Sequence, residues 1–374
     1  MRYCLLYRMR SQNCTGGGVG EKRGQMRKRP KTKKKMSRKT WKVLAAAGMV
    51  TAAGFLLAGC GKKEEVVVYT AVEQVYCEEL FRQFEKETGI AVKAVYDTEA
   101  NKTTGLVNRI IAEEKQPVCD VFWNNEFIQT IDLQEKGLLE SYIPENSSDI
   151  PEAYKDAEGF WTAFGGRARV MLVNTELLAE EDYPESVYDF AEGKIPGEEL
   201  ALAYPMFGTT RTQAAAMYAL LGEEGGREFY QKIADRGVQI VDGNSVTKDM
   251  AASGQVAVGY TDTDDAKDAI GDGAPVTMVF PDQEEGGIGT LITPSTAALI
   301  KSAPNSENGK KLIEFIVSRE TEQFLIDNGF FDVSVREDGN STFQVKGMEL
   351  NLRDIYLMLD AASKDMEEIF ADVR

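Results

Sequence analysis

The chain has 374 residues, with 43 Lys and Arg against 60 Asp and Glu, five Cys and no His. Its 43% apolar and 28% charged residues give the balance of a folded protein, long enough for one large domain or two. The absence of His excludes sites built on a Ser–His or Cys–His pair or on His-ligated zinc.

Charge is divided unevenly. Residues 1–59 hold 15 basic residues and one acid, Glu21, so the overall net charge of −17 becomes −31 for the remainder. A body that acidic repels polyanions, which argues against nucleic acid as a partner. Residues 1–35 are Gly-rich and then strongly basic. They read as lying upstream of a mis-assigned start, with Met36 the true initiator; a basic arm is the competing reading. From Met36 the text MSRKTWK leads into VLAAAGMVTAAGFLLAGC, a short basic region and then an apolar run ending in small residues. That run is too short for a stable membrane span and reads as a signal peptide over 36–59. Its ending, Leu57-Ala58-Gly59-Cys60, resembles the bacterial lipoprotein signal. The resemblance implies lipidation of Cys60, a tether over 60–65, and an exported protein anchored on the outer face of the cell membrane, or on its periplasmic side in a Gram-negative envelope. Cys77 and Cys119 then remain, expected as isolated thiols because they fall at opposite ends of a parallel sheet.

The body opens with an apolar strand at 66–69. A helix follows with Cys77, Leu80, Phe81 and Phe84 on one face and Gly89 as its stop. A strand at 90–96, a helix carrying Leu106, Ile110 and Ile111, and a strand at 118–123 complete a β-α-β-α-β order, which predicts a parallel sheet covered on both faces. Further on, a strand at 169–173, a helix at 212–221 closed by Gly222, a strand at 238–241, a helix at 246–252 and a strand at 255–260 predict a second α/β unit. Near the C-terminus, Leu352, Ile355, Leu359, Ala362, Met366 and Ile369 repeat at spacings of three and four, which predicts a helix packing back on the protein.

Candidate ligand residues fall where strands of such sheets end. Thr70 and Glu73 follow the first strand, and Asn125 and Glu126 follow the third. Arg167 and Arg169 alternate on one face of an extended segment, with planar donors suited to a carboxylate or a phosphate; one ligand-facing and one structural arginine are expected. Thr209 and Thr210 precede a helix, as anion holders or as caps. Ser245 reads as the next cap and Asn244 as a ligand candidate. Tyr260, Asp262, Asp264 and Asp265 close a strand. Ala266 and Lys267 break a calcium-loop reading there, leaving a helix N-terminus or a carboxylate patch for a cation. Gly286 to Gly289 reads as a flexible connection between lobes.

Taken together, VVVYTAVEQ, CDVFWNNE, GGRARVMLVNTELL, AYPMFGTTRTQAAA, VDGNSVTKDMAASGQVAVGYTDTDDA and GTLITPSTAALIKSAPN resemble the substrate-binding proteins of ABC importers, in the cluster of ferric-ion, polyamine and phosphonate binders. The resemblance covers about residues 66–335. It implies an α/β, two-lobed, type II periplasmic-binding-protein-like fold with a hinge, 66–167 plus 281–374 forming one lobe and 168–280 the other. It also implies a monomer without enzymatic activity or cofactor, which hands a small solute to an ABC permease and its ATPase. The adjacent tyrosines that hold iron in ferric binders fall here at Asp264 and Asp265, so these two and Tyr260 are the metal candidates. Arg167 or Arg169 matches the anion-holding arginine. Ferric iron or an iron complex is thus the leading transported ligand, with a polyamine, phosphonate or sugar phosphate as the alternative and an envelope hydrolase as a remote one.

Overall fold

The computed structural model describes residues 64–97 and 105–371; the leader, the signal segment and Cys60 lie outside them. Strand β1 (Glu65–Thr70), helix α1 (Gln74–Thr88) and strand β2 (Ala91–Tyr96) open the fold. Helix α1 buries Cys77, Leu80, Phe81 and Phe84, the 3-4 stripe of an amphipathic helix, and ends where Gly89 takes φ 75°. Helix α2 (Gly105–Ala112), strand β3 (Val121–Asn124) and helix α3 (Ile128–Glu135) follow. β1 pairs in parallel with both β2 and β3, as the alternating order predicts. β3 starts at Val121 rather than at 118. The carboxylate of Asp120 accepts the N–H groups of Val67 (2.7 Å) and Asn305 (2.7 Å), so it fixes the lead-in outside the ladder. Cys77 and Cys119 are buried free thiols.

The short β4 (Leu139–Glu140) precedes the long β5 (Thr162–Asn174). Then come β6 (Leu200–Ala203), α4 (Gly208–Asp235), β7 (Gln239–Val241), α5 (Asn244–Ala252), β8 (Val258–Asp262), α6 (Thr263–Gly271), β9 (Val276–Val279) and β10 (Ile292–Ile300). Helices α7 (Ser306–Ile316), α8 (Arg319–Asp327), α9 (Leu352–Leu357) and α10 (Leu359–Ile369) complete the chain.

The strand order is β2-β1-β3-β10-β5-β8-β6-β7, with β4 beside β10 and β9 beside β5. β5 belongs to both halves. Its residues 162–168 pair with β10, and from Arg169 onward it pairs with β8 and, over 171–174, with β9. The change of partner falls between Ala168 and Arg169, so the two arginines lie on either side of it. Gly165 and Gly166 make the approach possible. A Cβ on Gly166 would meet the Thr293 carbonyl oxygen at 2.7 Å, and Gly165 (φ 43°) lies against the Phe331 ring. An aromatic chain of Phe81, Trp123, Phe164 and Phe331, with centroids 5.6–6.0 Å apart, backs this region.

Three expectations are corrected. The helix expected at 212–221 begins at Gly208 and runs to Asp235, with a break at Gly222 (φ 74°, ψ 169°), so Thr209 and Thr210 occupy its first turn. The C-terminal stripe is split at Met358 into α9 and α10. Both helices pack on α4 of the second half, and α9 also reaches α3 of the first, with Arg353 paired to Glu135 at 2.6 Å and Tyr356 donating to Asp132 at 3.3 Å. Tyr218 donates to Asp365 at 2.8 Å, Arg211 to Ser363 at 2.9 Å, and Phe370 meets the Tyr230 ring edge-on. The segment 286–290 does join the halves, but it is tied down: Gly289 N–H donates to the Asp282 carbonyl at 3.1 Å and Thr290 Oγ1 to the Arg169 carbonyl at 2.6 Å.

Candidate functional site

β5 carries its arginines at alternate positions, but their surroundings differ. Arg169 is fully buried. Its Nη1 donates to Asp262 Oδ1 (2.9 Å), Thr209 Oγ1 (3.1 Å) and Asn244 Oδ1 (3.3 Å), and its Nη2 to Thr210 Oγ1 (3.3 Å) and the Tyr260 carbonyl (3.4 Å). The guanidinium also stacks 4.6 Å above the Tyr260 ring. Asp262 Oδ2 accepts in turn from Thr209 (2.7 Å) and Asn244 (2.9 Å). One buried ion pair therefore ties together the start of α4, the start of α5 and the end of β8. Burial works against the Arg169 charge, and Asp262 and Tyr260 outweigh it, raising its pKa.

This knot sets aside several sequence candidates. Arg169, Thr210 and Asp262 are buried and bond within the knot, Arg169 through both Nη atoms with its Nε left unpartnered among the described residues, while Thr209 and Asn244 spend their polar groups on the knot from a half-buried position. Tyr260 is corrected as a metal candidate. Its hydroxyl donates to Gln213 Oε1 at 3.2 Å inside the core, and burial holds its pKa well above the ordinary value, against the phenolate a metal needs. Ser245 is not the cap of α5; Gly243 holds that position.

Asp264 and Asp265 start α6, where the helix dipole favours their charge. With Asp262 they bring three carboxylates within 4.8 Å of one another. Arg167 Nη1 donates to Asp264 Oδ2 at 2.6 Å, with the two side chains 25% and 46% exposed. Burial opposes the Arg167 charge, but Asp264, Asp262 and, more weakly, Glu73 raise its pKa above the ordinary value. Burial likewise pushes Asp264 up, and the adjacent guanidinium overrides it, so its pKa is lowered. Asp265 differs: burial, reinforced by Asp264 and Asp262, lifts it to about 6 against the hydrogen bond from Thr261. The first turn of α6 is also tied to the other half. Thr263 and Lys267 both donate to the buried Asp332 carboxylate, at 2.5 and 2.6 Å.

On the first half, Thr70 is buried and its Oγ1 accepts the Val72 N–H at 3.0 Å, so it holds the turn in shape. Glu73 is exposed at the N-cap position of α1. Asn125 is half-buried after β3. Glu126 accepts from the backbone of Ile128 (2.7 Å) and Gln129 (3.0 Å) and serves the start of α3; burial raises its pKa. Outside the knot, Arg167, Asp264, Asp265 and Asn125 stay partly exposed, and Glu73 is exposed. Two further residues stand out: Asn124, which opens the 124–126 loop that the sequence already places on this edge, and Thr293, which sequence reasoning passed over. Both are buried, with Asn124 Oδ1 and Thr293 Oγ1 lacking a hydrogen-bond partner among the described residues.

Two α/β halves sharing a crossing strand, with polar side chains gathered where their strands end, define a two-lobed binding protein of the type II periplasmic kind. The chain belongs to the bacterial extracellular solute-binding protein family, whose model matches residues 79–333. It is 25% identical over 323 residues to iron uptake protein A1 of Synechocystis sp., covering 79% of this chain and 86% of that one. It is 27% identical over 271 residues to the major ferric iron-binding protein of Neisseria meningitidis serogroup A, covering 70% and 78%. Among solved structures, a Trichodesmium protein in complex with iron and citrate ligands superposes with a TM-score of 0.72 at 20% identity, covering 82% of this chain and 99% of that one. No helix among the described residues is long and apolar enough to cross a membrane.

Proposed function

We propose that this protein is the substrate-binding component of an ABC importer and that it captures ferric ion, carried with a small organic anion, for a membrane permease and its ATPase. Cys60 anchors it to the membrane as a lipoprotein, and it works as a monomer without turnover. One lobe is 66–167 with 281 to about 350, and the other is 168–280 with the C-terminal helices that pack on α4. Closure of the lobes brings Glu73 and Asn125 towards Arg167, Asp264 and Asp265.

The observation that carries this reading is the juxtaposition of Asp264 and Asp265. Two carboxylates held together in a partly buried site are costly to ionise: burial chiefly, and then repulsion from Asp264 and Asp262, lifts the pKa of Asp265. A hard cation relieves that cost, and oxygen donors are what such a cation prefers. Asp262 supports the pair from behind, with its own oxygens committed to the knot. Arg167 is the anion-holding residue: on capture it exchanges Asp264 for an acidic group of the co-bound anion, which leaves Asp264 to the metal.

Thermal denaturation of the metal-stripped protein with ferric citrate, citrate alone, polyamines, phosphonates and sugar phosphates tests this. A cargo at ~100 times its dissociation constant adds about 2.7 kcal/mol of stability. Ferric citrate is expected to give that shift and citrate alone much less. A shift from an organic solute with ferric citrate silent replaces iron by that solute in the same receptor role. Release of a chemically altered solute favours the hydrolase.

A further inference from the structure

We propose that Thr293 is a further cargo-contacting residue, whose hydroxyl donates to the oxyanion held by Arg167 and so sets the site's preference for that group. The proposal rests on the reading that Arg167 meets the acidic part of the cargo. Thr293 sits on β10 directly across the antiparallel ladder from Arg167. Directly opposed residues place their side chains on one face of the sheet, with Cβ atoms about 4.5–5.5 Å apart. Thr293 is 2% exposed, yet its Oγ1 has no hydrogen-bond partner among the described residues. Other threonines of this return are satisfied: Thr290 Oγ1 donates to the Arg169 carbonyl, and Thr296 Oγ1 bonds Thr130 and the Glu126 carbonyl. Ser295 also lacks a partner, but it lies opposite Phe164, in the aromatic backing.

A buried hydroxyl without a partner is costly, and native folds keep few of them. Across the ladder from it stands Arg167, whose ion-pair partner Asp264 also has a buried oxygen, Oδ1, without a hydrogen-bond partner among the described residues. The ladder register thus sets Thr293 opposite Arg167, and the ion pair sets Arg167 on Asp264. A carboxylate or phosphonate oxygen on Arg167 accepts the Thr293 proton, while the released Asp264 turns to a positive group. The shared ligand chemistry is an oxyanion next to a cationic centre. Its source is either the organic anion of a ferric complex or an aminophosphonate.

The test pairs Thr293→Val, which keeps the shape and removes the hydroxyl, with Thr293→Ser, which keeps the hydroxyl. The full chain is titrated with ferric citrate, citrate and 2-aminoethylphosphonate, and melting temperatures are recorded alongside. The Val variant is expected to bind whichever oxyanion the unaltered protein binds about tenfold more weakly, the worth of one hydrogen bond to a charged acceptor. Its melting temperature is expected to hold or rise, because the unpaired hydroxyl is gone. The Ser variant is expected to bind as the unaltered protein does. Affinity lost only in step with melting temperature overturns the assignment, as does unchanged affinity in the Val variant. If 2-aminoethylphosphonate binds in a Thr293-dependent way and ferric citrate does not, iron is lost as cargo while Thr293 stands. Failure of the unaltered protein to bind any of the three overturns both.

Discussion

Arg169 and Arg167 rise from the same strand two residues apart, yet one is locked in a buried knot and the other stays partly exposed with a single ion-pair partner. Period-two alternation puts both on one face, so the strand itself does not separate them. The neighbours do. At Arg169 the strand pairs with β8, and three loop ends close over the guanidinium; at Arg167 it still pairs with β10, and the side chain reaches the rim with only Asp264 in hand. A strand that changes partner can thus give two identical residues opposite duties. One fixes the geometry where α4, α5 and β8 meet, and the other holds a partly exposed pair, which the proposed function has exchange partners on capture.

The sharpest way to break this contrast is to treat the two pairs alike. Arg169→Met leaves Asp262 as a buried charge with its partner gone, so a loss of about 3–5 kcal/mol is expected by urea denaturation. Replacing both, as Arg169→Met with Asp262→Leu, is expected to recover most of that, because the cost belongs to the unpaired charge. A single variant with nearly unchanged stability would show that the knot is no more than a surface contact drawn inward.

Much of the fold was legible in the sequence for a physical reason. Val-rich runs, the Cys77-Leu80-Phe81-Phe84 stripe and the Gly89 stop are local signals, and each lies where its pattern places it. What failed to show was anything set by distant pairing. The C-terminal stripe announced a helix but not its host, since the complementary surface on α4 is more than a hundred residues away. In the site, the Arg167-x-Arg169 pattern announced two roles without saying which residue had which, because burial at each depends on β8 and β10. Thr293 gave no signal at all. A threonine in an apolar strand reads as ordinary β-structure, and only the ladder register places it opposite Arg167. Tyr260 misled for the same reason, as its ring and hydroxyl answer to Arg169 and Gln213 rather than to the rim.

The other half of the comparison is a binding effect with little cost in stability. Arg167 and Asp264 are partly exposed, so Arg167→Leu is expected to change stability by less than about 1 kcal/mol. Calorimetric titration with ferric citrate is expected to show affinity reduced about tenfold or more, because the anion loses its planar, charged donor. Arg167→Lys keeps the charge without the fork and is expected to fall between. Equal affinity for the Leu variant would move the anion elsewhere in the site.

The smallest effect concerns Asp265, and its sign can be worked out. Its carboxyl titrates at an ordinary 3.8 in the unfolded chain and at about 6 in the fold, chiefly through burial and then through Asp264 and Asp262. Below pH 3.8 both states hold the proton. Between 3.8 and 6 the unfolded chain releases it first, so the folded state loses stability as pH rises through that window and stays level above it. Partial exposure of the side chain trims the loss to about 1 kcal/mol. Asp265→Asn has no proton to lose, so it is expected to melt with the unaltered protein near pH 3 and above it at pH 7. Ferric citrate at pH 7 is expected to reverse that order, because the cation stabilises the ionised Asp265 and gains nothing from an amide. Thermal melts of the two proteins at both pH values, with and without the complex, give all the comparisons. A variant that stays ahead with ferric citrate bound would mean that Asp265 is a helix-end carboxylate and takes no part in holding the metal.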